Sequence, residues 1–417
     1  MSYIEDIKEV RKNMQESNFG LAKEKLEEML EECKECKLED DENIYRSFNN
    51  VIEEILYFYR NNPKKRLVYP EKNMAEIYYT LGYIELELNN NDAAMKYLIQ
   101  AEKWNPMDPL IKFEIAVIFR RKGQVDRFRA EIEKLFPYVY NSYGLAKFYR
   151  EMGWYYSERK VWDVANALYT NSLSYYVAEV ANNELKYIAQ MNNREVKHST
   201  QEEIKRLLWE YNMPIGFSKD VHGILKTEYE KQIKEENRNE RLINELSRRL
   251  YDITLDKKYV IYTKLYDEEE NIEVSIPEFW KILNKEAYSE YGINENTMFV
   301  FLITDTKNYS IMNEGECKEE EFEEKYNSAI ENIKKYGMKV LLEDEEIIDN
   351  EKYKISIIEI KLEDDKVQKL YQVYRRIDNK LIKCSWEVPA LERAERIKDV
   401  EKNSMRFEVV KSIKNKE

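Results

Sequence analysis

Through roughly the first 250 residues apolar side chains recur three and four positions apart. Through most of the remainder they recur at every second position, so the chain predicts helices followed by strands. Ile4, Ile7, Val10 and Met14 form one helical stripe; Phe19, Ala22, Leu26, Met29 and Leu30 form a second, with Asn18 placed to cap it. A third helix is predicted from Ile44 to Tyr59, on the stripe Ile44, Phe48, Val51, Ile52, Ile55, Leu56 and Tyr59. The segment NNPKKRLVYPEKN that follows carries too much Pro and Asn for a helix and predicts an extended connection. Further on, Ala178, Ala181, Leu185 and Ile188 keep the helical period. Ser199 and Thr200, each three residues before a glutamate, open the next helix, which carries Ile204, Leu207, Leu208 and Tyr211 and ends at Pro214 and Gly216. From Lys219 to Tyr251 a long, mostly polar helical segment carries the apolar positions Val221, Ile224, Leu225, Ile233, Leu242, Leu246 and Leu250; its stretch from Lys234 to Glu240 is almost wholly polar, which reads as a solvated linker helix.

Past Asp256 the period changes. YVIYTKLY, IEVSIP, MFVFLIT, KISIIEIKL, LYQVYRRI and LIKCSWEV are short, rich in β-branched and aromatic residues, and bounded by polar turns. Ile377-Asp378-Asn379-Lys380 predicts a tight hairpin. Two helices interrupt the strands: Lys318 to Tyr336, with Phe322, Tyr326, Ala329, Ile330 and Ile333 on one stripe, and a closing one from Pro389 to about Phe407. Strands, a helix, a four-strand meander and a helix make an α+β sandwich, an antiparallel sheet covered by helices.

The helical half also repeats. With Ala75 as the first position of a 34-residue frame, Tyr78, Leu81, Gly82, Ala94, Leu98, Ala101 and Pro106 fall at spacings that a frame begun at Ala146 reproduces with Tyr149, Met152, Gly153, Tyr156, Ala165, Tyr169 and Ser172. A weaker unit starts at Pro109, with Ile115, Ala116 and Phe119 on its first helix and Phe128, Ile132 and Leu135 on its second. This pattern resembles the tetratricopeptide repeat, in which small residues sit where the two helices of a hairpin cross. The resemblance covers residues 1–195 and implies an all-α, tetratricopeptide-like helical solenoid. Residues 196–254 then form a helical linker or cap, and 255–417 the α+β domain. That domain resembles the PsbP/DcrB-like fold in the strand entry MFVFLITDTKNYSI, the helix EEEFEEKYNSAIENIKKYG, the hairpin QVYRRIDNKLIKCSW and the closing helix ending SMRF.

A tetratricopeptide array implies a binding groove lined by set positions of each first helix. Carried over, these include Tyr79 and Tyr83 in one unit, Phe113, Arg120 and Arg121 in the next, and Lys147, Arg150 and Trp154 in the third. The expected partner is a protein or peptide whose acidic or carboxylate-bearing segment meets the four cations while the rings supply apolar pockets. The same residues also suit a structural role, with the charges solvated and the rings packed on neighbouring repeats.

Composition narrows the chemistry. With 10 Gly and 8 Pro in 417 residues there is no GxG, no GxSxG and no phosphate-loop frame, which excludes common nucleotide cradles and the serine elbow. Only His198 and His222 are present, and Cys33, Cys36, Cys317 and Cys384 include a single CxxC, so no metal or cofactor is expected and the thiols read as free. Acidic runs such as Asp267 to Glu270, Glu319 to Glu324 and Glu343 to Glu346 read as solvated faces. A net charge of −14 argues against nucleic acid as a partner. No apolar run approaches a membrane span, and the charged start MSYIEDIKEV has no secretory core, so a cytoplasmic location is expected. The sequence thus reads as a non-enzymatic adaptor or chaperone-like scaffold. A peptide-sensing receptor without a DNA-binding domain and an enzyme seated in the carboxy-terminal domain stay open, and the oligomeric state is not legible.

Overall fold

The computed structural model describes residues 3–176, 178–291, 293–294, 296–304, 307–362, 367–388, 394–411 and 413–415. These divide into two units, Met1–Ile253 and Thr254–Glu417.

The first unit opens with the hairpin α1 (Tyr3–Gln15) and α2 (Phe19–Glu32). Asn18 stands at the N-cap of α2, but its side chain donates to Glu16 instead of accepting from the helix, so the expected cap is one of position only. The helix expected from Ile44 is shorter. Asn43–Tyr45 is a strand, β1, and α3 spans Val51–Asn61. The reason lies at Asn50, whose Oδ1 accepts from the amides of Ile52 (3.0 Å) and Glu53 (3.2 Å) and so fixes the helix start. The Pro-rich connection runs extended, and its strand β2 (Arg66–Val68) pairs in parallel with β1.

Three hairpins follow: α4 (Met74–Glu87) with α5 (Asn91–Trp104), α6 (Pro109–Arg121) with α7 (Val125–Leu135), and α8 (Ser142–Glu158) with α9 (Trp162–Tyr175). Side-chain caps at Asn73, Asp108 and Asn141 start the first helix of each. The two glycines of the repeat pattern sit at the crossings. A β-carbon on Gly82 would lie 2.6 Å from Leu98 Cγ, and one on Gly153 would lie 3.0 Å from the Tyr169 ring.

Next come α10 (Glu179–Met191), α11 (Gln201–Glu210), α12 (Lys219–Gln232) and α13 (Glu240–Thr254). Thr200 and Glu203 close the predicted capping box on α11. The expected linker helix is instead two helices, and neither is merely solvated. Val221, Leu225, Ile243, Leu246 and Leu250 are buried, Tyr59 donates to Glu228 (2.9 Å), and Arg60 pairs with Asp220 (2.6 Å). Residues up to Ile253 therefore belong to the helical unit.

A buried polar cluster joins its segments. Glu53 is 1% exposed; its Oε2 accepts from the Asn49 amide (2.8 Å) and from Asn105 Nδ2 (2.7 Å), and its Oε1 from the Tyr140 hydroxyl (2.7 Å). Asn49 Nδ2 bridges onward to Asp108 Oδ2 (2.8 Å), while Asp108 Oδ1 caps α6 at the Leu110 amide (2.7 Å). Burial pushes the Asp108 carboxyl up to about 7, with the Glu53 charge adding to it, and burial raises Glu53 as well despite its donors.

The second unit holds β3 (Tyr262–Asp267), β4 (Ile272–Pro277), β5 (Lys281–Ile282), β6 (Thr297–Thr304), β7 (Lys307–Glu316), α14 (Phe322–Lys335), β8 (Lys339–Ile348), β9 (Glu351–Lys361), β10 (Val367–Ile377), β11 (Lys380–Val388), α15 (Ala394–Lys402), α16 (Met405–Lys411) and β12 (Lys414–Asn415). A seven-stranded antiparallel sheet runs β5-β6-β7-β11-β10-β9-β8, and a smaller one runs β12-β4-β3. The predicted hairpin at Asp378-Asn379 joins β10 to β11. Alternation along β10 sends Tyr374 onto Tyr326 of α14, while Arg375 on the other face reaches the Val410 carbonyl of α16 (3.1 Å). Helices thus cover both faces of the sheet.

The edge strand β8 is the fourth strand of the expected meander, and no segment marked it in the sequence because it contains the acidic run Glu343 to Glu346. In place, Glu345 pairs with Lys354 (2.7 Å) and Glu346 with Lys402 (2.8 Å). The closing helix is likewise two, broken at Asn403-Ser404, and its predicted start at Pro389 lies outside the described residues.

Two predictions follow from this packing. Gly82→Ala gains helix propensity but strikes a fully buried leucine, so it lowers stability by about 1–3 kcal/mol, whereas Gly153→Ala, with a milder approach, is close to neutral; urea unfolding followed by circular dichroism compares them. Asp108 holds a proton in the folded state that the unfolded chain releases near pH 4. Its contribution is full below that pH and is lost as pH rises through about 7, at up to about 1.4 kcal/mol per pH unit. The urea midpoint of the helical unit accordingly falls between pH 5 and 8, and Asp108→Asn, which keeps the cap, flattens that slope.

Candidate functional site

The eight residues picked out for the groove lie on α4, α6 and α8, and the structure brings these three helices together through charged pairs. Lys147 of α8 donates to Glu114 of α6 at 2.8 Å, and Arg120 of α6 donates to Glu151 of α8 at 2.6 Å. Arg121 reaches back to α4, donating to the Leu86 carbonyl and lying 3.8 Å from Glu87.

Three of the four cations expected to face a partner are therefore already matched within the chain. Burial works against the Lys147 ammonium, but the charge and hydrogen bond of Glu114 outweigh it and raise its pKa above the ordinary lysine value. Arg120 also lies over the Trp154 ring, 5.2 Å from its centroid, and Trp154 meets Phe128 edge to face at 5.0 Å. Phe113 is fully buried beneath the Lys147 ammonium, 5.1 Å from its ring, so it is a core residue and not the wall of an open pocket. Tyr79 and Tyr83 remain half-buried. Burial raises both phenols, Tyr79 the more strongly, with the Glu114 charge adding to each.

Arg150 differs from the other three. It is half-buried, and its Nη1 has no hydrogen-bond partner among the described residues. Burial depresses the guanidinium, against the opposing influence of Tyr143, Glu151 and Tyr176. Tyr143 and Tyr176 stand beside it as an edge-to-face pair at 5.1 Å.

The residues that the sequence reading passed over are the carboxylates. Glu114 and Glu151 both stand one position past the fifth of their frames, next to positions assigned to the groove. A signal was present: each lies about one repeat, 33 or 31 residues, from the cation it pairs with.

A separate concavity of 290 Å³ lies between α9, the end of α10 and α11, lined by Trp162, Asn166, Arg194, Lys197 and Arg206 among others. Asn166 spans its wall, donating to the Lys197 carbonyl (2.8 Å) and accepting from Ser199 Oγ (2.8 Å). Among the described residues no three His, Cys, Asp or Glu side chains are grouped to hold a metal ion, and no helix is long and apolar enough to cross a membrane.

The chain thus carries a unit of consecutive helical hairpins and a unit built on a seven-stranded antiparallel sheet with helices. No protein-family model matches it, and no curated protein matches it either. Among solved structures it is similar to cyanobacterial PsbP (CyanoP) from Synechocystis, with TM-score 0.28 and 14% identity over 37% of this chain and 92% of that one. Another is a protein from Bacteroides thetaiotaomicron, with TM-score 0.26 and 13% identity over 37% of this chain and 48% of that one. A third is Pseudomonas aeruginosa pilF, with TM-score 0.22 and 16% identity over 45% of this chain and 86% of that one. Likenesses at these scores carry no argument about what the chain does.

The Lys147–Glu114 pair is mostly enclosed, with side-chain exposures of 16% and 12%. Removing one partner leaves the other charge poorly solvated, so Glu114→Ala or Lys147→Ala alone costs about 2–4 kcal/mol. Lys147→Met combined with Glu114→Gln returns most of that loss, as a double-mutant cycle in urea reads directly.

Proposed function

We propose that the helical unit is a tetratricopeptide-type module that binds a protein or peptide partner, and that the chain acts as a non-catalytic adaptor with its sheet unit free to engage a second protein. The reading rests on hairpins that cross closely at Gly82 and Gly153, and on Arg150, whose enclosed Nη1 has no hydrogen-bond partner among the described residues. Arginine matches a carboxylate with two parallel hydrogen bonds. On this reading Arg150 takes a carboxylate of the partner, and Tyr83, Tyr143 and Tyr176 contact the residues next to it. Lys147, Arg120 and Arg121 hold the helices in register and do not grip the ligand. The contact is accordingly narrower than four cations arrayed against an acidic segment: one carboxylate and a few side chains.

The test uses the full-length chain and a random hexapeptide library displayed with free or amidated carboxy termini. Binding selects free carboxylates, and Arg150→Gln weakens the selected peptides tenfold or more, about 1.4 kcal/mol, with the circular dichroism spectrum unchanged. Equal binding of free and amidated peptides, or no loss in Arg150→Gln, removes the proposal.

A further inference from the structure

The CxxC of the opening hairpin has no part in the groove, and its surroundings differ from those of the other two thiols. Cys33 ends α2 as its C-cap, is half-buried, and packs against the core cluster that also takes up Tyr78. Cys36 is exposed. Between them the chain makes a tight turn in which the Cys36 amide donates to the Cys33 carbonyl at 2.9 Å. A turn closed by such a bond holds its first and fourth α-carbons within about 7 Å. That is the span a disulfide needs, about 4.4–6.8 Å. The thiols also face one another: burial pushes Cys33 up to about 11, and the charge and hydrogen bond of Cys36 add to the rise.

From this geometry we infer that Cys33 and Cys36 form a redox modification site, a dithiol that closes to an intramolecular disulfide by exchange with a low-molecular-weight disulfide of the glutathione type. A metal ion is the weaker occupant, because no third ligating side chain joins the pair among the described residues.

The roles follow from exposure. Cys36, as the accessible thiolate, attacks one sulfur of the small disulfide; a mixed disulfide forms and one small thiolate leaves. Cys33 then loses its proton and attacks the Cys36 sulfur, so the protein disulfide forms and the second small thiol departs. In sum two protein thiols become one disulfide while the small disulfide gains two electrons and two protons as two thiols. The partial negative charge of the α2 carboxy terminus disfavours thiolate at Cys33. Poorly stabilised thiolates make the reduced form the better electron donor and the disulfide the harder to reduce. Cys317 and Cys384, both fully buried, do not exchange in the folded chain and serve as internal controls.

The experiment equilibrates the full-length protein anaerobically in glutathione buffers of increasing oxidised fraction, quenches with acid and reads mass and peptide maps. Wild type is expected to lose two hydrogens, retain no glutathione, and yield one peptide linked Cys33 to Cys36. In Cys33→Ser, glutathione stays on Cys36, rising from nearly absent to nearly complete at the same buffer ratio. Cys36→Ser, altered only at an exposed position, stays folded and acquires no adduct. Wild type that keeps glutathione on Cys36, or that remains fully reduced where Cys33→Ser is modified, overturns the proposal; so does a disulfide that forms only after unfolding in urea.

Discussion

A carboxylate cannot be buried unless its oxygens find donors, and Glu53 meets that condition with neutral groups alone from three separate parts of the chain. The Asn49 amide comes from the loop before α3, Asn105 from the end of α5, and Tyr140 from the approach to α8. Asp108, joined through Asn49, is also the cap that starts α6. The starts of α3, α6 and α8 and the end of α5 are thereby tied to one buried acid. Such a network is costly if half made, so it specifies one arrangement of the hairpins in a way that apolar packing of interchangeable leucines does not.

The ion pairs on α6 and α8 depend on that arrangement. Lys147 with Glu114 and Arg120 with Glu151 meet only because the two helices lie side by side, and once met they occupy most of the positive charge that the groove positions carry. The face is therefore less basic than its cations suggest. Arg150 is the exception, with one enclosed guanidinium nitrogen that has no hydrogen-bond partner among the described residues.

Much of the architecture was legible in the one-dimensional pattern because its causes are local. Helical spacing placed α4 through α9, the Thr200 and Glu203 box placed α11, and the Asp378-Asn379 turn placed the last hairpin. The misses have equally local explanations. Ile44 is apolar at a helical spacing, yet the Asn50 side chain starts the helix seven residues later. The strand β8 hid behind four consecutive acids that the sheet tolerates only because it lies at an edge, where Lys354 and Lys402 reach them. The stretch from Lys219 to Tyr251 looked solvated because it is mostly polar, but a single buried stripe is enough to dock a helix.

The sequence alone determined that helices precede strands, that a unit of about 34 residues recurs, and that small residues stand at Gly82 and Gly153, since periodicity and side-chain volume are properties of the chain itself. Only the tertiary structure decided which charges remain available. Whether an arginine is matched depends on residues a full repeat away, and this separated Arg150 from Arg120, Arg121 and Lys147 although all four read alike along the chain.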